Sequence, residues 1–357
     1  MTRSPAFTTP PPTRRPAPRW RTRAARTAAA AVAGACALAV LAAGSRAWQQ
    51  RQDGAIATHW PPPGQRVAVS GRSIHLHCTG QGSPTLVLEA GMAGWSQDWA
   101  WVQDRLSAGG RVCSYDRAGY GWSDAASSPR LGLDAVADLR QALRAAGEAP
   151  PWLLAGHSMG GLLAGMHARQ HPADVAGLAL IDAVGRDYAA QFPPERYARF
   201  RSGLDRLLAL SDALAPFGLT RWLGLPASLV AARLPTGTRA SAVAWSFSAR
   251  HYHTLREENA GFDTVLQQAR QLPALPHVPT LVLSSDVMRD FPAGLEDAAM
   301  RAAWQANQQS IAREAGVSRV LLEGSGHYLH VDQPGRVVAE LSAWRETARR
   351  QQAGASR

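Results

Sequence analysis

"LLAGHSMGGLL", residues 153–163, contains Gly156-His157-Ser158-Met159-Gly160, a G-x-S-x-G pentapeptide. In a chain of 357 residues with 32 glycines this spacing arises easily by chance. It carries weight only if a buried strand runs in, a helix runs out, and a histidine and a carboxylate occur elsewhere in the right order. "PWLLAG" before it is a short apolar run of strand type, and "MGGLLAGMHARQH" after it has helical character and is ended by Pro172. Gly156, Gly160 and Gly161 leave room for the sharp, strained turn that exposes a serine between strand and helix. Ser158 is therefore the candidate nucleophile.

Working outward, "RVAVSG" and "SIHLHCTG" alternate apolar and polar residues around a Gly-Arg turn, as an antiparallel hairpin does. "TLVLEAG" (85–91) and "VAGLALID" (175–182) are continuous apolar runs, the pattern of strands buried on both faces. Between them lie a helical stretch near 99–108, the strand "RVCSYD" (111–116), and a helix over 131–146 with Leu133, Val136, Leu139 and Leu143 on one face and Gly147 as its stop. The alternation breaks off after Asp182. It resumes with "VPTLVLSSD" (278–286), a helix near 296–315, the strand "SRVLLEG" and a closing helix from about 334. Alternating strands and helices predict an α/β fold, a doubly wound and mostly parallel sheet. The core is expected over 66–182 and 273–350, with a tail at 351–357. The interruption at 183–272 is helical and carries Phe192, Tyr197, Phe200, Trp222, Trp245 and Tyr252. It is expected to form a helical lid over the strand ends, where open α/β sheets bind ligands.

The formal charge of +11 is localised, because nine arginines precede the first acidic residue, Asp53. The remainder of the chain is close to neutral, so nucleic acid is not an expected partner. There is no lysine. That excludes a P-loop lysine, a pyridoxal Schiff base and S-x-x-K acyl transfer, and neither a cofactor nor a metal is expected. Residues 1–26, rich in Arg and Pro, are expected to be disordered. "TAAAAVAGACALAVLAAG" (27–44) is an uncharged apolar run behind that basic flank, the pattern of a signal anchor or of a signal peptide cut after Ala47. An uncleaved segment makes the membrane a partner and leaves an inner-membrane-anchored protein with its catalytic part outside the cytoplasm. A cleaved one gives a periplasmic or secreted protein. Residues 45–65, including "WPPPG", read as a linker.

A serine needs a base, and the base needs an orienting acid. His327, in "EGSGHYLH" directly after the last strand, is the candidate base, with His330 as its neighbour. Three aspartates are candidates for the acid: Asp182 at the end of its strand, favoured because it needs no loop insertion, with Asp286 and Asp290 as alternatives. The N–H groups of Met159, at the helix start, and Met92, in the loop after "LVLEAG", are the candidate oxyanion hole.

"GHSMGG" and "SGHYLH", in this order and with intervening strands, resemble the α/β-hydrolase superfamily over about 66–345. "LEAGMAGWSQDWAWVQ", "VCSYDRAGYGWSD" and "LIDAVG" resemble a bacterial subgroup with N-terminal membrane or signal segments. The resemblance implies a serine hydrolase, esterase- or lipase-like, acting on a small apolar ester or related acyl compound. Relatives with epoxide hydrolase or dehalogenase activity carry aspartate where Ser158 stands. Other Ser-triad reactions are the alternatives: aminopeptidase (Glu257-Glu258 offering a site for an amine, although a solvated helix face is the commoner place for such a pair), C–C hydrolase or perhydrolase. From another class comes a catalytically silent ligand-binding protein. Export makes a Cys78–Cys113 disulfide an open possibility beside two free thiols.

Overall fold

The computed structural model describes residues 19–125, 131–286 and 298–355. Its eight strands are β1 (Gln65–Val69), β2 (Arg72–Thr79), β3 (Leu86–Glu89), β4 (Val112–Tyr115), β5 (Trp152–His157), β6 (Val175–Ile181), β7 (Thr280–Ser285) and β8 (Arg319–Leu322). They form one sheet in the order β1-β2-β4-β3-β5-β6-β7-β8. β1 and β2 pair antiparallel, β2 pairs antiparallel with β4, and all later pairs are parallel. The expected doubly wound α/β sheet is observed.

The helices are α1 (Arg19–His59), α2 (Gln103–Ser107), α3 (Gly132–Ala145), α4 (Met159–Gln170), α5 (Pro194–Leu214), α6 (Leu219–Trp222), α7 (Thr236–Ser246), α8 (Ala249–Gln271), α9 (Ala298–Ala315), α10 (Leu329–Asp332) and α11 (Pro334–Ala355). Successive strand residues point to opposite faces, which divides the core in two. On one face Val87, Cys113, Leu154, Leu178 and Val282 pack with Leu139 and Leu143 of α3, Ala164 of α4 and Ile311 of α9. On the other, Leu86, Leu88, Leu153, Ile181 and Leu283 pack with Leu106 of α2 and with Val337, Leu341 and Trp344 of α11. Both faces are covered, so β3, β4, β5 and β6 are buried along their whole length. The expected helix at 99–108 is shorter than that: a 3₁₀ turn at Ser96–Trp99 precedes α2.

α5 to α8 occupy the interruption between β6 and β7. Arg201 of α5 donates to the Asn259 side chain at 2.5 Å and to its carbonyl at 2.6 Å, which ties α5 to α8. Phe192, Trp245 and Tyr252 are buried, whereas Trp222 is 82 % exposed.

The expected linker at 45–65 is corrected, because α1 continues through His59 and stops before Pro61. The cause is packing. Gln49 is buried and donates to Asp53 and to the Phe247 carbonyl, and Asp53 accepts from the Ala249 N–H. Ile56 packs with Trp95, Tyr120, Trp122 and Trp245. The Trp60 and Pro63 carbonyls accept from Trp122 and His75. Residues from Trp48 onward thus belong to the compact body that carries the sheet. Residues 19–26, part of the stretch expected to be disordered, lie within α1, and the expected tail is helical through Ala355 because α11 extends to it. Arg26–His59 includes a stretch long and apolar enough to cross a membrane.

Cys78 and Cys113 stand directly opposite one another on β2 and β4 and are joined in a disulfide. Closing a loop of this size contributes roughly 3–4 kcal/mol through the unfolded chain. Thiol titration of the denatured chain should therefore find one free thiol, Cys36, without reductant and three after reduction. Three thiols before reduction would contradict the pairing.

Candidate active site

Ser158 sits between β5 and α4 at φ 55° and ψ −123°, a conformation that costs a non-glycine residue energy. The turn is held from several sides. Ser158 N–H donates to the Ile181 carbonyl, and its own carbonyl accepts from the Gly161 and Val184 N–H groups. Close packing dictates glycine on both sides of it. A Cβ on Gly156 would stand 2.3 Å from the Gly160 oxygen, and one on Gly160 would stand 2.4 Å from the carbonyl oxygens of Glu89 and Ala90. The end of β3 is thus pressed against the start of α4.

Ser158, His327 and Asp182 come together at the strand ends. Ser158 Oγ lies 2.9 Å from His327 Nε2, and His327 Nδ1 lies 2.7 Å from Asp182 Oδ2. A carboxylate only accepts, so Nδ1 carries the proton and Nε2 is left to accept from the serine hydroxyl. Asp182 is fully buried and, like Ser158, has a positive φ, 42°. Its oxygens also accept from the Ser285 N–H and hydroxyl at 3.0 Å and from the Trp304 indole at 3.2 Å. These donors occupy the remaining acceptor positions of the carboxylate and fix its plane toward His327. Asp286, one residue beyond β7, is exposed, and Asp290 lies outside the described residues.

Met92 and Met159 flank the serine. A Cβ on Gly91 would stand 3.2 Å from Ser158 Cβ, so the loop after β3 runs against Ser158. Met159 opens α4, where helix N–H groups lack intrahelical partners. Among the described residues, neither methionine N–H donates to a backbone acceptor outside its own helix or strand. Both side chains belong to an apolar cluster with Val184, Tyr188, Phe192, Phe262 and Trp304.

The remaining histidines separate by environment. His157 is buried, donates from Nε2 to the His327 carbonyl at 2.9 Å, and is held well below its ordinary range by burial and by the neighbouring His327. His330 packs on Trp99 at 4.4 Å between ring centres, and burial pulls its imidazole down to about 3. Both are neutral rings that shape the loop carrying His327. His75 pairs with Asp116, and His251 is wedged between Trp95 and Tyr120.

Trp304 and His157 support this site with no pattern in the sequence that singles them out, and Glu258 supports it in a role other than the expected one. Glu258 was expected on a solvated helix face or at an amine site. It is buried instead, receiving Nε and Nη2 of Arg117 and the Tyr120 hydroxyl, and so is committed to an internal pair. Its signal was weak, since only position on the buried side of α8 distinguishes it from Glu257. Asp98, whose Oδ2 would stand 2.5 Å from a Cβ on Gly94 in the loop after β3, is buried, and burial pushes its carboxyl up to about 8 against the opposing pull of Arg117.

A model of the alpha/beta hydrolase family matches residues 74–341. Among curated proteins, the chain is 32% identical to the uncharacterized protein YqjL of Bacillus subtilis (strain 168) over 129 residues, 36% of this chain and 51% of that one. It is 33% identical to a pimeloyl-[acyl-carrier protein] methyl ester esterase of Xanthomonas oryzae pv. oryzae over 150 residues, 38% of this chain and 56% of that one. The chain therefore spans about half the length of these two curated relatives. Among solved structures, a thermophilic esterase from Thermogutta terrifontis aligns with a TM-score of 0.56 at 22% identity, covering 80% of this chain and 99% of that one. At that identity the likeness concerns the fold.

Proposed function

The chain belongs to the alpha/beta hydrolase family, and from that premise we propose that it is a serine hydrolase cleaving an ester or related acyl bond of a small apolar substrate. The observation that carries this reading is the unbroken relay Ser158 Oγ–His327 Nε2, 2.9 Å, and His327 Nδ1–Asp182 Oδ2, 2.7 Å. Ser158 Oγ attacks the acyl carbon while its proton passes to His327 Nε2. The carbonyl π pair moves onto oxygen, facing the N–H groups of Met92 and Met159. Collapse expels the alcohol, which takes the proton from His327. Water, deprotonated by the same imidazole, then attacks the acyl carbon; the bond to Ser158 Oγ breaks, the acid leaves, and the imidazolium returns its proton to Ser158 Oγ. Asp182 holds the ring and stabilises the imidazolium formed at each transfer.

The apolar cluster around Met92 and Met159 supports an apolar acyl or alcohol group. The esterase name of a curated relative agrees with ester chemistry. The aminopeptidase alternative loses its motive, because Glu258 is committed to Arg117 and Tyr120. The variants Ser158→Ala and His327→Ala should each remove nearly all turnover of a p-nitrophenyl ester, and the double variant should lose little more, since the two act as one unit. Asp182→Asn should lose on the order of ten-thousand-fold in kcat, the effect known for the corresponding change in the best-studied triad. Asp286→Asn and Asp290→Asn should stay near wild type. Collapse in Asp286→Asn with activity retained in Asp182→Asn would reassign the acid.

The arginine-flanked apolar run at 27–44 and the Cys78–Cys113 disulfide together support a catalytic body outside the cytoplasm, anchored to the membrane where the run is retained. Alkaline phosphatase fused after residue 60 should be active. An inactive fusion, beside an active cytoplasmic reporter at the same point, would refute that topology.

A further inference from the structure

Arg117 follows β4 and is 3% exposed, yet all five of its N–H donors are engaged. Nη1 donates to Glu89 Oε1 at 2.9 Å and to the Ala90 carbonyl at 2.6 Å. Nη2 donates to the Gly91 carbonyl at 2.6 Å and to Glu258 Oε2 at 3.1 Å, and Nε donates to Glu258 Oε1 at 2.8 Å. The two carboxylates are themselves fixed: Glu89 accepts from the Tyr115 hydroxyl and Glu258 from the Tyr120 hydroxyl. Five bonds in a rigid planar fork leave the guanidinium one position.

Two of those bonds fall on consecutive carbonyls of the loop that runs against Ser158. The second of them, Gly91 C=O, shares a peptide plane with Met92 N–H. A trans peptide is planar, and its C=O and N–H point in opposite directions. Fixing the Gly91 oxygen therefore fixes the direction of the Met92 N–H. A cation on the oxygen also draws electron density from the N–H and strengthens it as a donor. The Gly94 N–H bonds to the same oxygen at 3.0 Å, so the carbonyl is held from two sides.

We propose that Arg117 is a positioning residue for the oxyanion hole: its guanidinium, by clamping and polarising the Gly91–Met92 peptide, aims the Met92 N–H at the oxyanion formed on Ser158. Glu258 carries this clamp into α8, so the inserted helices set the orientation of the loop through one buried ion pair. The inference rests on the serine-hydrolase reading, and labelling of the wild-type full chain by a fluorophosphonate tests that reading separately.

The variant Arg117→Lys keeps the charge but offers three donors in place of five and no planar fork. In the folded variant, checked by its thermal transition, kcat on a p-nitrophenyl ester should fall about 100-fold with KM nearly unchanged, the scale of losing one oxyanion donor. A second readout separates positioning from general loosening. A thionoester develops its charge on sulfur, a larger and weaker acceptor that gains little from a well-aimed N–H. Wild type should prefer the oxo ester strongly over its thiono analogue, and Arg117→Lys should lose about tenfold of that preference. If Arg117→Lys does not fold, the triple variant Arg117→Met with Glu89→Gln and Glu258→Leu removes the guanidinium and both carboxylates it pairs with, a change buried ion pairs often tolerate. It should show the same loss in kcat and in oxo-over-thiono preference. A folded variant of either kind that is labelled by the fluorophosphonate and retains wild-type kcat and preference would overturn the proposal, whereas a wild type that is never labelled would instead overturn the reading beneath it.

Discussion

The backbone of Ser158 is forced to positive φ at the point where a fully buried strand meets a helix, and the rest of the site is arranged around that strained turn. The strain persists because neighbours over-determine it. The Ile181 carbonyl takes its N–H, the Gly161 and Val184 N–H groups take its carbonyl, and Gly156 and Gly160 admit backbone where any Cβ would collide. Once the turn is so fixed, the hydroxyl has a single approach to an imidazole, and the start of α4 faces the same side. The strand ends of the parallel sheet lie there, which is why the residue after β6, the loop after β8 and the loop after β3 can all be brought to one site.

Asp182 illustrates how economically this is built. It directly follows β6, where the chain leaves the sheet for the inserted helices, and its positive φ marks the turn. Its N–H bonds to the Leu283 carbonyl of β7, while its carboxylate receives the Ser285 N–H and hydroxyl, the Trp304 indole and His327. A buried carboxylate is costly unless its oxygens are satisfied, and four neighbouring donors satisfy it here. Arg117 does the corresponding work on the opposite side, between two buried carboxylates and two loop carbonyls. The residues proposed to do chemistry are thus few, and the groups that orient them come from nearly every element around the sheet edge.

Much of this was legible in the sequence where a local pattern has a single physical meaning. Apolar runs of strand length gave β3, β5, β6 and β7, and the glycine spacing around Ser158 located the turn. Asp182 was readable as a residue at a strand's end, but its competition with Asp286 was not resolvable from spacing, since each directly follows a strand and only burial and the contact with His327 separate them. Long-range pairings left no such trace. Glu258 looked like half of a solvated acidic pair, because its partner lies 141 positions away on β4's following loop. Residues 45–59 looked like a linker because the proline triplet after them dominates the reading. Their helix is decided by Gln49, Asp53 and Ile56 meeting partners that lie at Trp95 or beyond. Whether Cys78 met Cys113 depended on a register that places them opposite each other, which alternation alone does not specify.

The central claim is that the Ser158 hydroxyl, activated through His327, forms a covalent acyl-enzyme. The most direct measurement is intact-mass and peptide mass spectrometry of the full chain quenched in acid within milliseconds of mixing with a p-nitrophenyl ester. The account predicts a mass increase of one acyl group per chain, located on the peptide that contains Ser158, and no such increase in the chain carrying His327→Ala. An acyl group on another residue, or rapid turnover with Ser158 unmodified at every quench time and in fluorophosphonate-treated protein, would contradict it.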